Sequence, residues 1–213
     1  MNQKLKPILI IAGSILCLGL VFGGMWWIFQ STNNPSNLHM TPIRQSDWKF
    51  GNPNAKVTLL EYSDLECPVC KEYEPIVEQA RQAYASSTLF LYRHFPLPQH
   101  PWALAAAHAA EAAGIQGKFW DMVHVLFQNQ DTWVATKDPK PLFAQYAQQL
   151  GLDVQKFQLD EDSQAVADKV ASDRDAALQD QIPGTPTFFL NGQQVQFQSY
   201  DQLKQLLDQA LAG

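Results

Sequence analysis

Two cysteines three positions apart, Cys67 and Cys70, form the part of the sequence with the clearest capacity for chemistry. They follow a predicted β-strand and open a predicted helix, with Pro68 at a position that needs no backbone N–H. Unsatisfied N–H groups and the positive dipole end of the helix favour a thiolate at Cys67, so its pKa should fall. Cys70 lies about one helical turn further on, within reach of a mixed disulfide on Cys67. The spacing therefore predicts a reversible dithiol–disulfide couple.

Two other interpretations of the pair stay open. A structural disulfide over so short a separation closes only a small loop and stabilises little. The pair could also be half of a metal site, but no dense cysteine or histidine cluster accompanies it, and we predict no metal ligands. The five histidines are spread over the chain, at His39, His94, His100, His108 and His124.

The elements that must position the cysteines follow from the apolar patterns. Residues 56–62 and 88–95 predict strands on either side of a helix over residues 67 to about 85. Residues 48–54 have turn chemistry. Helical patterns follow over residues 102–113, 118–127, 141–150, 154–157 and 163 to about 178. Strands over 187–190 and 193–197 and a helix over 201–211 close the chain. A helical insertion into a small mixed sheet is the simplest packing of this order.

Composition and charge exclude several classes of protein. The chain has 213 residues, 46% of them hydrophobic, and a formal net charge of −6, which argues against a nucleic-acid partner. Residues 1–43 contain no Asp or Glu, and their only charged side chains are Lys4 and Lys6. The acidic body and the cationic N-terminal region therefore have to be interpreted separately.

The N-terminal region predicts a membrane anchor. We assign residues 1–7 to the cytoplasm, 8–29 to a transmembrane signal-anchor, 30–46 to a tether and 47–213 to the catalytic domain. The apolar run is long enough for a hydrocarbon core of about 30 Å and ends with tryptophans. The lysines before it predict an extracytoplasmic domain. A cleaved signal peptide is the alternative, although such peptides have shorter apolar regions that end in small residues. Lipoprotein processing at Cys17 is disfavoured by the bulky Leu16 before it.

Three separated segments resemble the DsbA-like thiol–disulfide oxidoreductases of the thioredoxin superfamily, in its membrane-anchored branch. They are EYSDLECPVC at residues 61–70, QGKFW at 116–120 and GTPTFF at 184–189. The resemblance covers roughly residues 48–211. It implies an α/β, thioredoxin-like fold with an inserted helical domain at about 99–181, preceded by one transmembrane helix. It also implies a protein disulfide oxidoreductase without an organic cofactor, because the cysteines carry the electrons.

The resemblance assigns roles to five residues. Cys67 is the exposed nucleophile, and Cys70 is the buried resolving cysteine. Pro186 is a cis-proline facing the cysteines, and the backbone of Thr185 before it is free to pair with an extended substrate. Glu61 is a buried carboxylate that assists proton transfer at the resolving thiol. The alternatives are an ordinary loop proline at 186 and an exposed acid at the strand end.

Three neighbours of the nucleophile bear on its redox potential. The strongest oxidants of the family carry a histidine where this chain has Val69. Asp64 and Glu66, as acids beside Cys67, should raise its pKa and oppose the helix dipole. We therefore expect a less oxidising couple than in those relatives.

The function implied is the introduction of disulfides into exported proteins, in the periplasm or at the cell-surface side of a bacterial membrane. The expected partners are exported proteins with cysteine thiols and, by the resemblance, a quinone-linked membrane reoxidase. A disulfide reductase or isomerase with the same chemistry is the first alternative. A non-enzymatic metal-binding module is the second.

Overall fold

The computed structural model of the chain describes residues 40–213. The predicted cytoplasmic segment, the predicted transmembrane segment and most of the predicted tether lie outside these residues. Within residues 40–213, none of the helices combines the length and the apolar character needed to cross a bilayer.

A five-stranded mixed sheet forms the centre of the domain. The strands are β1 (Trp48–Gly51), β2 (Val57–Ser63), β3 (Thr88–His94), β4 (Thr187–Leu190) and β5 (Gln193–Val195). Their order across the sheet is β1-β3-β2-β4-β5. β2 and β3 pair in parallel, and the other three pairs are antiparallel. The parallel pair is central and buried, as the apolar character of both strands predicts.

Among the described residues, eight helices surround the sheet. They are α1 (Pro68–Tyr84), α2 (Ala103–Ile115), α3 (Phe119–Gln128), α4 (Gln130–Val134), α5 (Lys140–Gln149), α6 (Val154–Glu161), α7 (Gln164–Gln179) and α8 (Tyr200–Ala212). Helix α1 connects β2 to β3, and α2 to α7 all lie between β3 and β4. The short helix α4 is absent from the sequence prediction. The thioredoxin-like fold with a helical insertion is confirmed.

Alternation along the strands separates two faces of the sheet. Leu59 of β2 lies opposite Phe90 of β3, and both pack against α1 and α8. Leu60 and Leu91 point to the other face and pack against α7. Successive side chains of a strand alternate between faces, so Glu61 lies on the same face as Leu59, beneath α1.

The helical insertion has its own apolar core, built on the alanine run of α2. Small side chains at fully buried positions allow neighbouring helices to approach closely. Bulky side chains of the other helices, including Met122, Trp133 and Phe143, fill the space around them. Burying each such large side chain contributes about 1.5–3 kcal/mol. This core continues to Cys67 and Cys70, so the insertion and the cysteines share one packed interior.

Residues 48–51, predicted as part of a turn, instead form β1 on the edge of the sheet. The Trp48 ring stacks on Phe119 at 4.3 Å, and its indole N–H donates to Glu111 at 2.7 Å. Gly51 ends the strand at φ 94°, where a Cβ atom would lie 2.3 Å from the Thr88 carbonyl oxygen. The strand is short and half-buried, so its alternation is weak in the sequence, and the turn begins only after it.

The described end of the predicted tether, residues 40–46, is held against the domain instead of free. The Thr41 N–H donates to the Asp180 carboxylate at 2.8 Å. The fully buried Arg93 donates to Asp47 at 2.7 Å and to the Thr41 hydroxyl at 2.6 Å. Arg44 also bonds Asp47, at 3.0 Å. These buried ion pairs and hydrogen bonds fix the path of residues 40–46. The polar, proline-containing sequence of the segment gave no sign of them.

Candidate active site

Helix α1 presents the two cysteines at its first turn, and no disulfide joins them. Cys67 is the N-cap residue, with φ −69° and ψ 123°, and Pro68 is the first helical residue. Both cysteines are buried: Cys70, inside the first turn, is 1% exposed and Cys67 is 5% exposed. The prediction that Cys70 is buried is confirmed, and the prediction that Cys67 is exposed is wrong, because the core of the insertion extends over both residues. The backbone of the pattern Cys67-Pro68-Val69-Cys70 folds as its sequence predicts.

The environment of Cys67 favours the thiolate. Its pKa is lowered to about 5, chiefly by a hydrogen bond from the Cys70 thiol, with help from the backbone N–H groups of Cys70 and Val69. The Thr185 side chain lowers this pKa as well. Its buried hydroxyl makes no other hydrogen bond within residues 40–213, so it is available to the sulfur. At neutral pH Cys67 is thus a thiolate, the form that attacks and leaves in disulfide exchange.

The environment of Cys70 has the opposite effect. Burial, followed by the hydrogen bond and the charge of Cys67, raises the pKa of the Cys70 thiol well above its usual value. Only one of the two sulfurs is therefore ionised at neutral pH. The asymmetry separates a nucleophile at Cys67 from a protonated resolving thiol at Cys70.

Polar groups line the sheet beneath Cys70. Glu61 is 8% exposed, and burial raises its pKa to about 7. Tyr92 lies opposite it on β3, and Ser63 lies two residues further along β2, on the same face. Among the described residues, neither the Ser63 hydroxyl nor the Tyr92 hydroxyl has a hydrogen-bond partner. A carboxyl group that titrates near neutrality beside Cys70 can give or take the proton of that thiol.

The loop before β4 completes the site. The Thr185–Pro186 peptide bond is cis, as the resemblance implies. The Cys67 sulfur lies 3.5 Å from the Thr185 carbonyl oxygen, to which it donates a hydrogen bond when it is protonated. The five residues selected from the sequence, Cys67, Cys70, Glu61, Thr185 and Pro186, thus belong to one site.

The two acids beside Cys67 do not act as expected. Asp64 accepts a hydrogen bond from the Leu97 N–H at 2.8 Å, and one of its oxygens lies 2.8 Å from His100 Nδ1. Glu66 accepts from the Trp102 N–H at 2.6 Å, at the start of α2. Both carboxylates are buried and engaged by the start of the insertion. The pKa of Cys67 is lowered overall and neither acid is among its main causes, so the two carboxylates do not determine this pKa as expected.

Sequence reasoning missed Ser63, Tyr92 and the contacts of Gln130 with the loop before α1. Ser63 could have been found, since alternation places it on the same face as Glu61. Tyr92 becomes its neighbour only through the parallel register, and Gln130 lies in the helix that the sequence did not predict.

A groove of about 400 Å³ opens beside the cysteines, between Val69, the cis-proline loop and β5. The phenol of Tyr73 is the one ionisable group in its lining, and this phenol donates to the Phe197 carbonyl oxygen at 2.7 Å. Residues 40–213 contain no group of three or more histidine, cysteine or acidic side chains that could hold a metal ion.

Comparison with known proteins extends these observations. The family model Thioredoxin_4, described as thioredoxin, matches residues 44–209. A thioredoxin-like oxidoreductase from Silicibacter pomeroyi DSS-3 is similar in structure, with a TM-score of 0.67 and 25% identity over 84% of this chain and 99% of that one. Oxidised BdbD from Bacillus subtilis has the same fold, with a TM-score of 0.72 and 23% identity over 83% of this chain and 98% of that one.

The chain also matches part of a longer protein that is named as a transporter. The Na(+)/H(+) antiporter NhaA 1 of Mycolicibacterium gilvum (strain PYR-GCK) is 35% identical over 201 residues. The match covers 90% of this chain but 31% of that protein, so the chain spans less than a third of its length. Most of the antiporter therefore has no counterpart here, and its name describes that whole protein.

Proposed function

The chain belongs to the thioredoxin family, and we propose that it is a DsbA-like thiol–disulfide oxidoreductase that acts as an oxidase and introduces disulfides into exported proteins. The observation that carries the direction of the reaction is the stabilised thiolate of Cys67. A disulfide whose reduced form is stabilised is more readily reduced, so it takes electrons from substrate thiols more readily. An ordinary thiol at this position would give no such preference.

The proposed reaction transfers one disulfide from enzyme to substrate in two exchange steps. A substrate thiolate attacks Cys67 of the Cys67–Cys70 disulfide, a mixed disulfide forms, and Cys70 leaves with the bonding electron pair. Glu61, which burial keeps protonated up to about pH 7, supplies the proton that returns Cys70 to a thiol. A second substrate thiolate then attacks the substrate sulfur of the mixed disulfide, and Cys67 leaves as the stabilised thiolate. The substrate loses two electrons and the enzyme gains them.

The groove beside the cysteines is the proposed binding site for the substrate polypeptide. Its lining is almost free of ionisable groups, and β5 lies at the edge of the sheet next to it. An extended polypeptide could use its backbone there, with the Thr185 backbone as a partner. Substrates would then be selected by accessible cysteines in unfolded segments more than by charge.

The location and the redox partner belong to the same proposal. The apolar run at residues 8–29, with lysines before it, supports a single-pass bacterial membrane protein with its catalytic domain outside the cytoplasm. The reduced dithiol must then return two electrons to an acceptor. A quinone-linked membrane reoxidase would supply that acceptor.

Trapping of the mixed disulfide tests the proposed function. The oxidised full chain should convert a reduced, unfolded two-cysteine protein to its disulfide form, and the Cys67→Ser variant should not. A Cys70→Ser variant, mixed with the disulfide form of the same substrate, should accumulate mixed disulfides through Cys67, because the Cys67 thiolate attacks the substrate disulfide and no Cys70 thiol remains to displace the substrate from Cys67. Accumulation in Cys67→Ser instead would reverse the two roles. Failure to oxidise the substrate, with rapid reduction of its disulfide by the reduced enzyme, would assign the chain to the reductase or isomerase class.

A further inference from the structure

The side chain of Gln130 joins the helical insertion to the backbone of the nucleophile. Gln130 is the first residue of α4 and is 3% exposed. Its side-chain amide donates to the Leu65 carbonyl oxygen at 2.8 Å and to the Cys67 carbonyl oxygen at 3.0 Å. An amide –NH₂ group has two hydrogens, so both are used on the loop that carries the reacting sulfur.

These two hydrogen bonds differ from the other links between insertion and loop. Trp102 binds the side chain of Glu66, and Leu97 and His100 contact the side chain of Asp64. Gln130 instead binds the main chain, at the carbonyl oxygens of Leu65 and Cys67, the two residues on either side of Glu66. It therefore acts on the conformation of the residue whose sulfur reacts.

The conformation of Cys67 decides what its sulfur can contact. As N-cap, Cys67 has an extended backbone, and its carbonyl also accepts the first-turn N–H of Lys71 at 3.2 Å. Rotation of this peptide plane would move the sulfur relative to the N–H groups of Val69 and Cys70. Two fixed carbonyls, at Leu65 and Cys67, resist that rotation.

We propose that Gln130 is a positioning residue of the exchange reaction: its amide fixes the peptide groups around Cys67 and so holds the sulfur over the first turn of α1. The proposal rests on Cys67 being the reactive sulfur of the proposed function. It gives the helical insertion a role in the reactivity of the thiol, in addition to covering the site. Without the amide, the thiolate loses part of its hydrogen bonding and reacts less readily at acidic pH.

The test is the pH dependence of Cys67 alkylation by iodoacetamide in the reduced full chain, quantified by fragment-ion mass spectrometry so that Cys67 and Cys70 are separated. Gln130→Leu keeps a similar volume and removes both donors. Trp133→Phe, in the same helix, is the matched control, because Trp133 is fully buried and its indole N–H binds the Leu126 carbonyl at 2.7 Å, away from the loop. The assay needs no substrate protein, so failure of the oxidase assignment would leave its result interpretable.

Loss of one hydrogen bond lowers the ionisation constant of the Cys67 thiol about fivefold. Because the native sulfur is half ionised at about pH 5, the alkylation rate of Gln130→Leu at this pH should fall about threefold, while the alkaline plateau is unchanged. Trp133→Phe should follow the native profile even where it lowers the unfolding midpoint as much. If Gln130→Leu does not fold, Gln130→Asn carries the test, because its shorter side chain cannot reach both carbonyls, and the same fall is expected. A native profile in the folded Gln130 variant, or an equal shift in Trp133→Phe, would overturn the proposal.

Discussion

Comparison of Cys70→Ala with Cys70→Ser measures how much one hydrogen bond, from the side chain at position 70, contributes to the reactivity of Cys67. The Cys70 thiol is the largest cause of the lowered pKa of Cys67, which is about 5. Alanine removes this donor and leaves the backbone N–H groups of the first turn in place. Serine keeps an O–H donor at nearly the same position. The two variants therefore differ in the hydrogen bond itself more than in packing.

The size of the effect follows from the energy of such a bond. A hydrogen bond to a charged group contributes about 1.5–3 kcal/mol, so its loss should raise the pKa of Cys67 by about one to two pH units. At about pH 5 the native sulfur is half ionised. In Cys70→Ala the thiolate fraction at this pH should be between about one tenth and one hundredth. Cys70→Ser should stay close to the native value.

The assay is the alkylation of Cys67 by iodoacetamide across the acidic to mildly alkaline range, with thiolate absorbance near 240 nm as an independent readout. The Cys70→Ala profile should move towards alkaline pH while its plateau stays at the native rate. Identical profiles for alanine and serine, both close to native, would show that the Cys70 thiol does not lower the pKa of Cys67. The thiolate would then be stabilised by the helix terminus alone.

Two further predictions concern buried charges. Glu61→Gln should leave stability unchanged below about pH 4.5 and increase it progressively up to about pH 7, by at most about 3 kcal/mol. The cause is that the carboxyl of the unfolded chain ionises over this pH range, while burial keeps the carboxyl of the folded chain neutral. Urea unfolding of the native chain and of Glu61→Gln at several pH values measures the difference in stability. The same difference in midpoint at every pH would contradict the prediction. Arg93→Met should cost about 3 kcal/mol in the same assay, because it removes the buried one of the two arginines that pair with the fully buried Asp47 carboxylate and leaves only Arg44. Lys156→Met, which breaks an exposed pair with Asp160, is the control and should cost less than about 1 kcal/mol.

The sequence was most informative where local chemistry and periodicity agree. Cys67 and Cys70 follow a strand and open a helix, which fixes their position on any α/β scaffold with this order. The fold class was predicted because the strands around them are strongly apolar and the block between β3 and β4 is helical. The cis bond at Pro186 was predicted from the resemblance, since no local pattern distinguishes it from an ordinary loop proline.

The missed features depend on contacts distant in sequence. β1 is too short to show its alternation and becomes a strand through its pairing with β3. Residues 41–46 have the composition of a tether, yet Arg93 and Asp180 hold them through contacts more than 50 residues away in sequence. The acids at 64 and 66 were expected to oppose the thiolate. Their carboxylates are engaged by the start of the insertion, which only the tertiary structure places there.

The redox state of the cysteine pair in living cells distinguishes an oxidase from a reductase or isomerase. Cells that express the chain are quenched in acid, and free thiols are labelled with a reagent that adds mass. A Cys17→Ala background removes the only cysteine outside the pair. An oxidase predicts that most molecules carry no label, because Cys67 and Cys70 are joined at steady state. A population that mostly carries two labels would exclude the proposed oxidase activity and assign the chain to disulfide reduction or isomerisation.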